Sequence, residues 1–404
     1  MGVKPGCKQT EVGVIPEDWD VLPLGRLIKR PPSYGINAAA IPLDARFPTY
    51  IRITDVTDDG RFARESRVSV SHSASSSYVL DPGDIVLART GASVGKSYMY
   101  RPRDGYLVFA GFLIRVSPNN DYLLSAFLAY FTQSQPYWNW ITANSMRSGQ
   151  PGINGQEYAA LIVPLPPTIA EQEAIAEALG DADALIESLE ELIAKKCLIK
   201  QGAMQELLTG KRRLPGFSGE WEVKRLGSVL RFQVGSPFMS SFFNDKNQGL
   251  RLVRNRDLKS DDQTFYYSGA FNHEFLVYDG DVLVGMDGDF LPRIWAKGAA
   301  LLNQRVGRIV CRDGLDRVFA SYYLIDPLQE IEDTTLSTTV KHLAHGDVEK
   351  IENPLPEIEE QLAIAAVLSD MDSEIEALQA KLAKARQIKQ GMMQELLTGR
   401  IRLV

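Results

Sequence analysis

Lys200-Gln-Gly-Ala-Met-Gln-Glu-Leu-Leu-Thr-Gly210 returns near the end of the chain as Lys389-Gln-Gly-Met-Met-Gln-Glu-Leu-Leu-Thr-Gly399, and only Ala203/Met392 differs. Each copy closes a segment of helical composition, one over residues 168–210 and one over 357–399, opened by Glu171-Gln172 and Glu360-Gln361. The offset of 189 holds without a gap from Gln172/Gln361 to Leu214/Leu403. Self-similarity of this length marks one architectural unit used twice. A forty-residue helix is roughly 60 Å long. One small core does not cover that length, so the two helices need a partner, and each other is the obvious one.

The seam is visible in the spacing. Ile175, Leu179, Ala182, Ile186, Leu189 and Ile193 alternate by four and three, and Ile364, Leu368, Met371, Ile375, Leu378 and Leu382 repeat the pattern. Heptad spacing predicts a coiled coil. Beyond Ile193 and Leu382 the register shifts, as in a stutter. Gly202 and Gly391 lie inside the helices, where glycine costs about 1 kcal/mol relative to alanine; their shared position suggests close backbone approach. The alternative is two amphipathic helices, each docked on its own domain.

A chain of 404 residues with 45% apolar and 24% charged content fits two or three soluble domains. It contains no run of 18 apolar residues, and its first ten residues lack a signal-peptide core, which predicts no membrane span and a cytoplasmic location. Cys7, Cys197 and Cys311 are too scattered for a disulfide framework or a zinc site, consistent with a reducing compartment. The net charge of −7 is unevenly placed. Residues 168–210 carry nine acidic against three basic groups and residues 357–399 eight against four, so the remainder is positive. An acidic polymer would meet the domains, while the helices suit solvent or a basic protein partner.

The segments before the helices repeat one plan. Trp19-Asp-Val-Leu-Pro-Leu-Gly25 opens the first and Trp221-Glu-Val-Lys-Arg-Leu-Gly227 the second. Residues 50–56 and 107–116 read as strands, residues 80–88 as a turn feeding a strand, residues 123–141 as helix, and residues 146–154 as a loop. Residues 250–257 and 278–284 match the first and third of these. Val163-Pro-Leu-Pro-Pro167 and Asn353-Pro-Leu-Pro356 read as stiff exits into the helices. The division is 1–167, 168–210, 211–356 and 357–404, and the repeat is circular, because the N-terminal residues supply what Leu214 and its followers supply to the second copy.

Motifs for chemistry are weak. Gly91-Ala-Ser-Val-Gly-Lys-Ser97 is one residue short of a phosphate loop. Asn353-Pro-Leu-Pro356 lacks the stacking aromatic of adenine methyltransferases, and His342 with His345 is half a metal site. Binding fares better. Residues 1–167 hold sixteen Lys and Arg, twelve of them Arg. Guanidinium groups among amides and hydroxyls suit base edges and phosphates. The candidate contacts are Arg52, Arg61, Arg64, Arg67, Arg89, Thr90, Ser93, Lys96, Arg147 and Gln150 in the first domain, then Arg251, Arg254, Asn255, Arg256, Lys259, Arg293, Lys297 and Arg305 in the second. Solvated faces share this composition.

With these residues in view, the chain resembles the DNA-specificity subunit of a Type I restriction-modification system. The resemblance rests on the duplicated Gln-Gly-x-Met-Gln-Glu-Leu-Leu-Thr-Gly, the Pro-Leu-Pro runs leading to Glu-Gln, the Trp-x-Val-x-x-Leu-Gly openings, and Gly83-Asp-Ile-Val-Leu-Ala-Arg-Thr-Gly91. It covers essentially the whole chain. It implies an α+β architecture: two similar target-recognition domains joined by two long helices in an antiparallel coiled coil, as a pseudo-twofold circular repeat. It further implies that each domain reads one half of a split site in double-stranded DNA, and that the coil sets the gap and docks two modification subunits. Those partners bring S-adenosylmethionine; restriction subunits add translocation driven by ATP and Mg. The chain itself would be non-catalytic and bind no cofactor. The competing readings are a coiled-coil adaptor that binds no DNA and, on the short glycine loop alone, an NTPase.

Overall fold

The computed structural model describes residues 5–63, 65–146, 149–334 and 341–403. The chain divides into two compact units, residues 1–190 with 380–404, and residues 191–379. Each unit therefore owns one globular domain, the first part of one long helix and the last part of the other.

In the first unit an antiparallel sheet runs in the order Ser33–Tyr34, Leu113–Val116, Ile85–Ala88, Ser97–Met99. A second sheet runs Leu107–Phe109, Thr49–Ile51, Val68–Ser69, Ile41–Pro42, with the first pair parallel. The second unit repeats both themes. Leu230–Val234, Val306–Cys311, Val282–Gly285 and Pro292–Ile294 form the antiparallel sheet. Leu250–Val253 lies parallel to Ala300–Leu302 in the other. The strands read as short β-rich apolar runs because both faces are covered: Ile85, Val86, Leu87 and Ala88 are all buried, as are Val282, Leu283 and Val284.

Four local expectations change. The strand expected over 50–56 stops at Ile51, since the Asp55 carboxylate accepts from the Arg52 backbone N–H at 2.8 Å and turns the chain into the 3-10 helix Ile53–Asp55. The strand expected over 107–116 is two strands in different sheets, separated by a turn in which Leu113 N–H donates to the Ala110 carbonyl. The helix expected over 123–141 is Ser125–Phe131 and Gln135–Ser145, split where Ser134 caps the second. The proline exits are strands: Ile162–Leu165 pairs with Asp20–Pro23, and Glu352–Leu355 with Glu222–Arg225. Two-stranded sheets leave one edge free, which accommodates proline's missing N–H.

The long helices are Ile169–Leu207 and Ile358–Leu396. Thr168 Oγ1 accepts from Glu171 N–H at the first N-terminus. Both helices end ahead of a left-handed glycine, Gly210 (φ 69) and Gly399 (φ 67). Within the first unit Lys389 pairs with Asp183 at 2.7 Å and Arg386 with Glu190 at 2.7 Å; within the second Lys196 pairs with Glu374 at 2.6 Å and Lys200 with Asp372. Partner numbers fall as helix numbers rise, so the helices are antiparallel. Ile175, Leu179, Ile186, Leu189, Ile364, Leu368 and Ile375 are buried, while Ala182, Ile193, Met371, Leu378 and Leu382 are half-buried.

The circular repeat is visible in the packing. Leu396 and Leu397 share a core with Ile15 and Trp19, as Leu207 and Leu208 share one with Leu226 and half-buried Trp221. Arg402 holds the buried Glu171, and Arg213 holds the buried Glu360. Buried Gln172 accepts from Leu124 N–H and donates to the Tyr122 carbonyl, both at 2.9 Å. Gln361 does the same with Asp316 and Gly314, both at 2.9 Å. The Glu-Gln pairs thus pin each helix start to its domain. Gly202 and Gly391 do not serve close approach, since a Cβ at either would meet nothing within 4 Å.

Candidate nucleic-acid interface

One backbone frame recurs in the two domains. Strand Ile85–Ala88 places Ala88 opposite Leu113, and Arg89 N–H donates to the Phe112 carbonyl at 3.0 Å. Strand Val282–Gly285 places Gly285 opposite Val306, and Met286 N–H donates to the Arg305 carbonyl at 3.0 Å. Thr90 bridges Gly152, and Asp287 bridges His342. Gly91 and Gly288, both at positive φ, then donate to the Pro151 and Lys341 carbonyls. Arg89/Met286, Thr90/Asp287, Phe112/Arg305 and Gly152/His342 are therefore equivalent positions. The frame is shared and its side chains are not.

In the first domain the Arg89 guanidinium lies over the Tyr34 ring, 4.8 Å from its centroid. Tyr34 is itself anchored, its hydroxyl accepting from Gly155 N–H at 3.0 Å. Phe112 is 55% exposed and Tyr34 42%. Thr90 and Ser93 are half-buried and Gln150 exposed on the same turn and its return loop. Gly91 sits at φ 71, the left-handed region that a residue with a Cβ rarely adopts, so the turn favours glycine. Lys96 pairs with Asp58 at 2.8 Å, and Gly95 packs on Ile141 and Trp138, so the short glycine loop is tied into the domain.

Other candidates in this domain are engaged by carboxylates. Asp55, almost fully buried, holds Arg52 through its Nε and Nη2, and Arg61 reaches Glu190 at 2.8 Å and Asp59 at 2.9 Å. Arg67 is exposed and has a partner of its own. Arg64 and Arg147 lie outside the described residues.

The second domain gathers its candidates around two acidic centres. Asp289 receives Lys259 at 2.8 Å and Arg293 at 3.5 Å. Asp287 receives Arg305 at 3.3 Å and His342 Nδ1 at 2.9 Å, while its carbonyl accepts from the Asn255 amide. Burial pushes the Asp289 carboxyl up, but Lys259 and the Leu291 N–H outweigh it and hold it below the ordinary value. Arg251 and Lys297 converge on Asp261 over the Trp295 ring, and their hydrogen bonds hold the Asp261 carboxyl down. Arg254 repeats Arg52: it grips buried Asp257 and stacks on Phe265 at 4.3 Å. Arg256 is exposed and reaches Gln263 at 3.2 Å.

Sequence reasoning passed over Tyr34, Phe112 and Asp287, and took His342 for half a metal site. Nothing in the linear pattern pairs Phe112 with Arg305; only strand register does. The arrangement offers cations held by neighbouring carboxylates, planar guanidinium groups and exposed aromatic edges, a set suited to a polyanion with readable edges.

The chain matches the family model for the Type I restriction modification DNA specificity domain twice, over residues 16–195 and 218–387. It is 27% identical over 420 aligned residues to the putative type I restriction enzyme MjaX specificity subunit of Methanocaldococcus jannaschii, covering 98% of this chain and 96% of that protein. It is 36% identical over 186 residues to the type I restriction enzyme EcoBI specificity subunit of Escherichia coli, covering 45% of this chain and 39% of that protein. In fold it is similar to the Type-I restriction-modification system S subunit from M. genitalium, with TM-score 0.62, 13% identity and 98% of each chain covered. A chain from a solved type I R-M system gives TM-score 0.55 at 20% identity, over 96% of this chain and 99% of that one.

Proposed function

The chain belongs to the Type I restriction-modification DNA specificity family, and from that premise we propose that residues 1–167 and 211–356 are target-recognition domains that each read one half of a bipartite duplex site. The reading is supported by a single observation: one backbone frame carries Arg89, Thr90 and Phe112 in one domain and Met286, Asp287 and Arg305 in the other. A protein that only joined other proteins has no reason to keep the frame and change its face. Residues 168–210 and 357–404 act as the spacer and dock two modification subunits. S-adenosylmethionine, ATP and Mg belong to the modification and restriction partners, where bond making and breaking take place.

In this reading Lys259, Arg293, Lys96 and their neighbours meet phosphates and fix register, while groups at the frame's turn meet base edges. The carboxylates that hold these cations in the free chain keep them oriented before DNA arrives. Phosphate contacts release counterions, so affinity falls steeply with salt.

The test uses cells that carry the chain together with its modification subunits. Residues 11–165 are exchanged for the matching segment of a relative with another specificity, and methylated sites are mapped in cells carrying each version. One half of the split motif should change and the other persist. Change in both halves, or in neither, overturns independent reading.

A further inference from the structure

Arg89 differs from Arg52, Arg61, Arg251, Arg254, Arg293 and Arg305, each of which faces a carboxylate in its own domain. Among the described residues its guanidinium takes part in no ion pair and no hydrogen bond, and its Nε–H is buried without a partner. What holds it is the Tyr34 ring at 4.8 Å, itself fixed through its hydroxyl to Gly155 N–H. The backbone is fixed as well, through the Arg89 N–H to the Phe112 carbonyl and the Ile153 N–H to the Arg89 carbonyl, at 2.9 Å for the latter. The result is a guanidinium backed by an aromatic ring, with no acceptor of its own among the described residues.

We propose that Arg89 reads a guanine in the half-site of the first domain, donating to O6 and N7 in the major groove, with Tyr34 as its positioning residue and Phe112 against the neighbouring base edge. The inference rests on the proposed reading of that domain and adds the base that it takes. A phosphate would accept from a freely turning lysine equally well; a guanidinium, planar and backed here by a ring, suits the in-plane acceptor pair that guanine alone presents. Exposed Phe112 favours the same choice, since an apolar face fits a base edge or thymine methyl and not a phosphate. In the second domain the equivalent position is buried Met286, so its half-site is read by other groups on the frame.

The test takes the chain with its modification subunits and a duplex bearing its own split motif, with each guanine of the first half-site replaced in turn by 7-deazaguanine. One replacement, which removes N7 and leaves O6, should weaken binding about tenfold, part of the ten- to hundredfold that a bidentate pair carries. Arg89→Ala, which removes both contacts, should lose at least that factor on the natural duplex, Arg89→Lys should lose most of it, and both should become insensitive to that replacement. Tyr34→Leu should lose most of it, and Tyr34→Phe, which keeps the ring, less. Second-half mismatches should cost all versions alike, a control that each variant is folded. The proposal is overturned by a first half-site without guanine, by a penalty that persists in Arg89→Ala, or by full rescue with Arg89→Lys, which marks a phosphate contact. A wild-type complex with no sequence preference overturns the family-level function instead.

Discussion

Lys389 Nζ lies 2.7 Å from Asp183 Oδ1 across the antiparallel helices, and its ammonium also sits over the Tyr130 ring, whose hydroxyl donates to the same carboxylate at 2.9 Å. Lys200, Asp372 and Tyr322 repeat the triad with the Tyr322 hydroxyl 2.6 Å from Asp372. Burial, then the facing carboxylate, pushes the Tyr322 phenol up to about 12 and that of Tyr130 higher still. Each triad ties the two long helices to a domain helix, so it fixes which turn of one helix faces which turn of the other. Asp183→Ala leaves Lys389, only 11% exposed, without its counter-charge. It should cost about 2–3 kcal/mol, at the low end for a buried pair because Asp183 is partly solvated. The double change Asp183→Leu with Lys389→Met should cost far less. Thermal unfolding of the single and double variants checks both, and equal losses would remove the pairing from the account.

Arg254 tests the difference between holding the fold and reading DNA. Its bidentate grip on Asp257, with that carboxylate also accepting from the Arg254 backbone N–H at 2.9 Å, caps the 3-10 helix Asn255–Leu258. Arg254→Ala strands a buried carboxylate and should lower stability by about 2 kcal/mol. Binding to every duplex should weaken alike, with no relaxed base position. Relaxation at a single base pair, found by mapping methylated sites, would place Arg254 among the reading groups.

The long helices were legible because forty residues at heptad spacing leave few alternatives, and the second copy doubled the signal. Short strands were less so. The run from Leu107 to Val116 is apolar except for Arg115 and reads as one strand, and its division between two sheets falls at Ala110-Gly111, where the interior glycine was the available signal. For the candidate site, composition found the arginines but not their employment. Arg52 and Arg254 sit in runs that read as strands and look like free cations in sequence, yet Asp55 and Asp257, three residues on, engage both. An Arg-x-x-Asp spacing after a strand was the available signal. Tyr34 carried none, since the residue it orients is far away in sequence.

Glu190 provides a pH test within the first unit. Burial pushes its carboxyl up, but hydrogen bonds from Arg61 and Arg386 outweigh that and hold it below the ordinary value of 4.5. A carboxyl whose folded value is depressed adds stability that is fully present above the unfolded value and lost as pH falls through the folded one. Glu190→Gln should therefore destabilise at pH 7 by about 1 kcal/mol, discounted for the solvent around both arginines. The gap to wild type should close as the pH drops below the carboxylate range. A gap that stays constant in melts down to acid pH would show that shape, not charge, accounts for the loss.

The proposed spacer role predicts a lengthened gap. One heptad placed after Glu191 in the first helix and another after Ala380 in the second adds about 10 Å. That corresponds to roughly three base pairs. The ion pairs on either side, Asp183–Lys389 and Lys196–Glu374, keep their partners only if both helices lengthen together. Methylated-site mapping should return both half-sites with a longer gap. An active variant with the original gap would end the spacer reading.

Gly202 and Gly391 give the simplest stability prediction. Both lie inside regular helix, in Ile169–Leu207 and Ile358–Leu396, and a Cβ at either meets only open space. Glycine there carries the entropic cost of ordering a permissive backbone and gains no packing in return. Gly202→Ala and Gly391→Ala should each stabilise the free chain by up to about 1 kcal/mol. The two positions share no partner, so the gains should add. A rise in melting temperature for each variant, and a larger one for the pair, is the expected result. A fall in either would mean that the side chain meets a neighbour the open helix face does not show.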